Sequence, residues 1–222
     1  MFKMFEGLPF ELQQRISDIS KYEVEVQIVK PSAEHLQIHK RVPFRYSVTD
    51  LLGCVRKAYY KRYMPKALTE QSIYNFSRGK LFDAALTTCF KDNQQPVLYQ
   101  CKKSPCQVSG RYDFITSEGV MTDLKTTDKD LASISEPMWE YKMQVRFYAD
   151  LKGCSQAQIM YVNMQGIRVL PVTVGDCLDV YNFFEQQACL LFEAEQQKMV
   201  PQQQKDNFCV WCEYSLECGE AP

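Results

Sequence analysis

Gly110-Arg111-Tyr112-Asp113-Phe114-Ile115-Thr116-Ser117-Glu118-Gly119-Val120-Met121-Thr122-Asp123-Leu124-Lys125 is the stretch from which the fold is read. Two runs suited to strands, expected over Val108 to Thr116 and Val120 to Thr126, flank Ser117-Glu118-Gly119, a polar turn that ends in glycine. They form a β-hairpin. That turn sets Asp113 opposite Asp123 and Arg111 opposite Lys125. Because side chains alternate along a strand, Asp113, Asp123 and Lys125 share one face, while Tyr112, Phe114 and Leu124 take the other and can pack inward. Directly opposed side chains have Cβ atoms roughly 4.5–5.5 Å apart, where two like charges destabilise the pair. Two readings remain open. The face is solvated, with Lys125 neutralising two aspartates, or the carboxylates share a hard divalent cation beside an ammonium group.

Outward from the hairpin, apolar periodicity and stop signals place the other elements. A helix is expected from Ser47 to Met64, capped by Ser47 or Thr49 and stopped by Pro65, and a second from Ile73 to Phe90. A strand over Val97 to Lys102 precedes the hairpin. A third helix runs from Pro137 to Lys152, with Gly153 as its stop. Ala157 to Asn163 and Arg168 to Val174 read as strands joined through Gln165-Gly166, and a long amphipathic helix fills Gly175 to Met199. Tyr22 to Ile28 alternates as a short strand does, and polar Pro201 to Asn207 links to a cysteine-bearing tail. The order implies an α/β fold, a mixed central β-sheet flanked by helices. Residues 1–46 carry no nameable motif, and 47–222 form the main domain.

The bulk numbers constrain rather than decide. With 222 residues, 45% of them hydrophobic, the chain can bury one substantial core. A formal charge of −1 advertises no global attraction to nucleic acid. Nothing near Met1 resembles a signal peptide, and no run approaches the roughly 18 apolar residues that span a bilayer, so a cytoplasmic protein is expected. There, ten cysteines are core filler or metal ligands rather than disulfides, the spacing of Cys101 and Cys106 notwithstanding. His35 and His39, the only histidines, read as surface residues. No P-loop occurs, so ATP hydrolysis is not expected.

Gly110-x-x-Asp113 followed by Asp123-x-Lys125 resembles the active-site signature of the PD-(D/E)xK nuclease superfamily, and Gln144-x-x-x-Tyr148 resembles the helical motif of its RecB-like branch. The resemblance implies a restriction-endonuclease-like fold and Mg²⁺- or Mn²⁺-dependent hydrolysis of DNA. It also implies that Asp113, Asp123 and the Leu124 carbonyl ligate the metal, that Lys125 orients or helps deprotonate water, and that Gln144 and Tyr148 position DNA. The family's upstream ligand is usually a His shortly after Arg-Gly. Here Arg78-Gly79-Lys80-Leu81-Phe82-Asp83 puts Asp83 there, a departure that a hard cation tolerates.

The tail Cys209-x-x-Cys212, then Cys218 after five intervening residues, offers three thiols and lacks a fourth, for which Cys54 is the natural donor. Four thiolates suit zinc or an iron–sulfur cluster. Cys54-x-Arg56-Lys57-x-Tyr59-Tyr60 with three late cysteines resembles the iron–sulfur RecB-like nucleases, in particular the CRISPR-associated exonucleases of the fourth Cas family. That implies a 4Fe-4S cluster in a lobe made from both chain ends, action on single-stranded DNA ends during spacer acquisition, and CRISPR integrase proteins as partners. Arg56, Lys57, Lys61 and Arg62 among Tyr59, Tyr60 and Tyr63 form either a stripe for single-stranded DNA or an ordinary solvated helix face, and Arg78, Lys80 and Arg146 would add charge near the metal site. The alternatives are a repair or mobile-element nuclease of the same chemistry, or a non-catalytic DNA-end scaffold.

Overall fold

The computed structural model describes residues 43–202, 209 and 212–219. The expected strand over Tyr22 to Ile28, His35, His39 and most of the expected linker lie outside the described residues. In chain order the elements are β1 (Arg45–Ser47), α1 (Val48–Leu52), α2 (Val55–Tyr63), α3 (Glu70–Thr87), β2 (Asp92–Asn93), β3 (Pro96–Gln100), β4 (Gln107–Arg111), β5 (Phe114–Ile115), β6 (Val120–Thr126), α4 (Trp139–Lys152), β7 (Gln156–Asn163), β8 (Gly166–Thr173) and α5 (Leu178–Gln197). The fold is α/β, with a mixed five-stranded sheet, β2-β5-β6-β7-β8, and a three-stranded sheet, β1-β4-β3. In the larger sheet β6 and β7 run parallel, Asp123 beside Ile159 and Lys125 beside Tyr161, and the other pairs are antiparallel. No helix among the described residues is long and apolar enough to cross a membrane.

Three expectations need correction. The first helix is two: Ser47 caps α1 by accepting from the Asp50 amide, and the chain then breaks at Gly53-Cys54 so that Cys54 becomes the N-cap of α2. The first hairpin strand is also two. β4 joins the smaller sheet, where Arg111 pairs with Pro96 instead of Lys125, and only Phe114 and Ile115 pair with β6. The register survives this break, because Phe114 opposite Thr122 and Ile115 opposite Met121 continue to Asp113 opposite Asp123. Finally, Tyr112 and Phe114 do not share a core. Tyr112 packs with Met121, Phe147 and Phe184, whereas Phe114 packs with Leu86, Phe90, Met160 and Val162 under α3. The chain changes sheets at Asp113, and that switch delivers its side chain to the seam between the two cores.

Helix ends follow local chemistry. Thr69 accepts from the Ser72 amide and starts α3 earlier than the apolar pattern indicates. Gly153 closes α4 in the left-handed conformation at φ 71°, its amide reaching the carbonyls of Ala149 and Asp150. The C-terminal segment lies on α2: the Tyr60 and Tyr214 rings stack at 5.6 Å between centroids, and Tyr60 Oη donates to the Glu217 carbonyl at 2.9 Å. Lys66 Nζ donates to the Glu213 carbonyl at 2.5 Å and pairs with the Glu217 carboxylate at 2.7 Å.

Candidate active site

The sheet end, α3 and α4 enclose a cleft of about 420 Å³ lined by Phe76, Lys80, Asp83, Asp113, Lys125 and Tyr141, among others. Asp123, next to the cleft-lining Leu124, is buried with only 2% exposure, because β6 runs between two covered faces. The acidic face expected from the hairpin is therefore covered rather than solvated. Lys125 Nζ lies 2.7 Å from Asp123 Oδ2, donates to Gln144 Oε1 at 3.2 Å, and sits 4.8 Å from the centre of the Tyr141 ring. Asp113 Oδ2 accepts the Leu124 amide at 2.6 Å, tying the sheet switch to β6.

Electrostatics follow from this enclosure. Burial, then the neighbouring Asp123 charge, pushes Asp113 up to about 7, with Lys125 and the Leu124 amide opposing. Burial raises Asp123 despite Lys125, and it raises Asp83 despite Lys80 and Arg111. For Lys125, burial acts to lower the ammonium, but the Asp123 carboxylate outweighs it and the group is held above its usual value. It therefore stays charged at neutral pH.

Gln144 and Tyr148 share a face of α4, as their spacing implies. Gln144 reaches Lys125, whereas Tyr148 is buried at 2% exposure behind it. The Tyr148 hydroxyl packs so closely over Gly110 that an added Cβ there would collide with it. Glycine at that position is thus a packing requirement of the site and not a turn signal. Sequence reasoning missed Gln94, whose side-chain amide donates to Asp83 Oδ1 at 2.7 Å and Asp113 Oδ1 at 3.3 Å. It also missed Tyr141. The aromatic at three residues before Gln144 is a visible signal for Tyr141, but nothing in the sequence separates Gln94 from its neighbour Gln95.

The basic residues divide. Lys80 lines the cleft, Arg78 pairs with Asp128, and Arg146 faces away, holding Asp179 at 2.8 Å beside a second cleft near Trp139. Arg146 is therefore not part of the charge near the carboxylates. On α2, Lys57 pairs with Glu213, Lys61 with Asp50 and Arg62 with Glu195, and Arg56 Nε donates to the Pro201 carbonyl. These contacts tie α2 to α1, to α5 and to the C-terminal segment.

Cys54, Cys209, Cys212 and Cys218 are half-buried thiols that form no disulfide. Burial raises the Cys218 thiol, Arg56 opposes, and Cys212 and Cys54 both add to the rise, which places these three sulfurs within electrostatic reach. The Cys212 amide donates to the Cys209 carbonyl at 3.1 Å, bringing the fourth cysteine to the same turn. Among the described residues, no three His, Cys, Asp or Glu side chains converge into a ready-made metal cage. In the carboxylate cleft Gln94 and Lys125 stand between the acids.

No protein-family model matches the sequence. No curated protein matches it either. Among solved structures, the crystal structure of SSO0001 superposes with a TM-score of 0.63 at 19% identity, covering 96% of both chains, and this likeness supports the α/β fold. The alkaline exonuclease LHK-Exo from Laribacter hongkongensis gives a TM-score of 0.49 at 10% identity over 69% of this chain and 92% of that one. The complex of LHK-Exo with dAMP gives 0.48 at 10% identity, over 68% and 87%.

Proposed function

We propose that the protein is a divalent-cation-dependent nuclease that hydrolyses DNA phosphodiester bonds. The observation that carries this reading is the meeting of Asp83, Asp113 and Lys125 in one cleft, with Asp123 paired to Lys125 behind it, contributed by α3, the sheet switch and β6. Asp83, Asp113 and Asp123, all pushed up by burial despite the nearby lysines, form an oxygen donor set that a hard cation would relieve. Asp83, Asp113, Asp123 and the Leu124 carbonyl would hold Mg²⁺ or Mn²⁺, and when bound the cation supplies Lewis-acid polarisation of the phosphate. Lys125, fixed between Asp123 and Gln144, presents its ammonium to the phosphate charge that grows during in-line attack and orients the incoming water. Because Lys125 stays protonated, orientation and charge are its contribution, and proton removal falls to another group. Tyr141 covers the ammonium and limits its hydration. Tyr148 supports Gln144 from behind.

The finer reading is an exonuclease acting on single-stranded DNA ends in CRISPR spacer acquisition, with integrase proteins as partners and a 4Fe-4S cluster on Cys54, Cys209, Cys212 and Cys218. It rests on the sequence motifs, with Cys54 at the start of α2 and Cys218 in the segment that lies on α2. A second reading, a DNA-end scaffold without catalysis, is supported by the contacts that Gln94 makes with Asp83 and Asp113 and Lys125 makes with Asp123. Time-resolved digestion of end-labelled single- and double-stranded DNA with Mn²⁺ separates them. The catalytic reading expects cleavage that the Asp123→Ala variant loses by at least about 100-fold. Equal cleavage by the variant refutes the site, and no cleavage by the unmutated protein supports the scaffold.

A further inference from the structure

We infer that Gln94 is a positioning residue of the carboxylate site, holding Asp83 in place against Asp113 so that the two acids can share one cation. This rests on the cation-dependent reading above and deepens it. The assignment begins with the backbone. Gln94 lies between β2 and β3 with φ 48°, a left-handed conformation rare for a residue with a Cβ. Its own amide donates to the Asp113 carbonyl at 2.9 Å. The preceding residue, Asn93, is paired with Phe114 in the sheet, so the strained residue is anchored to the strand that leads directly out of Asp113.

From that position the side chain spans two otherwise separate elements. Gln94 Nε2 donates to Asp83 Oδ1 on α3 at 2.7 Å and to Asp113 Oδ1 at 3.3 Å. A carboxamide nitrogen has two hydrogens, so both contacts are donations of one group, and no lysine could make them without adding a charge. Asp83 needs this help. The first half of α3 is largely exposed, with Tyr74 at 59% and Phe76 at 62%, and its buried residues come only at Leu86 and Thr87. Phe82 and Leu86 pack the helix backbone onto the second core, and the link to Gln94 fixes the Asp83 carboxylate itself to the sheet switch.

The test is cation affinity in a double-mutant cycle on the full chain, with Mn²⁺ alone as the probe, read by calorimetric titration and by Mn²⁺-dependent thermal shift. The variants are Gln94→Leu, Asp83→Asn and the two combined. Gln94→Leu is expected to weaken Mn²⁺ binding by about 10-fold or more, the usual effect of removing a group that orients a ligand. Asp83→Asn should weaken it at least as much, and the combination should equal Asp83→Asn alone, since Gln94 acts through Asp83. Gln94→Gly removes the same amide and releases the backbone strain, so its agreement with Gln94→Leu assigns the effect to the side chain and keeps the test usable if the leucine variant misfolds. Additive losses, or unchanged Mn²⁺ affinity in both Gln94 variants, overturn the assignment. Absence of Mn²⁺ binding by the unmutated protein overturns the cation site itself and the positioning role with it.

Discussion

Replacing Asp113 with Asn should stabilise the metal-free protein at neutral and alkaline pH while removing its response to divalent cations. Asp113 titrates near 7 instead of its ordinary 3.8, because burial and the Asp123 charge disfavour its ionised form. The folded protein therefore keeps a proton that the unfolded chain gives up, and stability falls as pH rises from about 4 through about 7. The difference between 3.8 and about 7 corresponds to an upper bound of about 4 kcal/mol at pH above both values. Asn removes this penalty but leaves Asp123 buried, so about 2 kcal/mol is a reasonable recovery. For a chain of this size that is a rise in Tm of roughly 4–8 °C. Asn can still accept the Leu124 amide that Asp113 Oδ2 now accepts at 2.6 Å. Thermal melts of both proteins in chelator should diverge as pH rises from about 4 to about 8, with the variant the more stable at the upper end. Added Mn²⁺ should raise only the unmutated protein. A variant less stable at the upper pH, or a gap that does not change with pH, would refute the reasoning.

Further outcomes can be checked by the same melts and by simple spectroscopy. Gly110→Ala should cost about 1–3 kcal/mol by overpacking against Tyr148, and Tyr148→Phe, which removes the atom in closest contact, should recover part of that loss in the double variant. Arg62→Met should cost about 3 kcal/mol, since it leaves Glu195, now 2.6 Å from Arg62 and bonded to Tyr46 Oη at 2.9 Å, as a buried charge without its cation. Adding Glu195→Gln to Arg62→Met should restore most of the lost stability. Protein purified without oxygen should contain iron and absorb visible light, and Cys54→Ser should lose both, whereas colourless protein with stoichiometric zinc would replace the cluster by a zinc site.

How far the sequence could be read depended on whether the information was local. The register of the hairpin follows from a short turn and a period of two, and it is observed at Phe114 opposite Thr122 and Ile115 opposite Met121, in line with Asp113 opposite Asp123. The spacing of Gln144 and Tyr148 fixed a shared helix face, but not that Tyr148 would be buried over Gly110. The break between β4 and β5 was not legible, because it arises when β4 pairs with β1 and β3, segments distant in sequence. Gln94 escaped for a related reason: its role comes from a left-handed backbone and from the meeting of α3 with β5, neither of which polarity patterns encode. The sequence left the cations of α2 open between a binding stripe and a solvated face because their partners, Glu213, Glu195 and the Pro201 carbonyl, lie far along the chain.

The clasp between Tyr60 and the segment around Glu217 joins residues 157 positions apart. During synthesis the ribosome adds about 5–20 residues per second, so the tyrosine side of α2 waits on the order of ten seconds before its cover is translated. For that interval a nascent chain presents an unfinished hydrophobic flank to whatever factor stands at the exit tunnel. Slowing or stalling translation upstream of Tyr214 would lengthen the exposure, and rare codons there should reduce the yield of folded protein without any change in its amino acids.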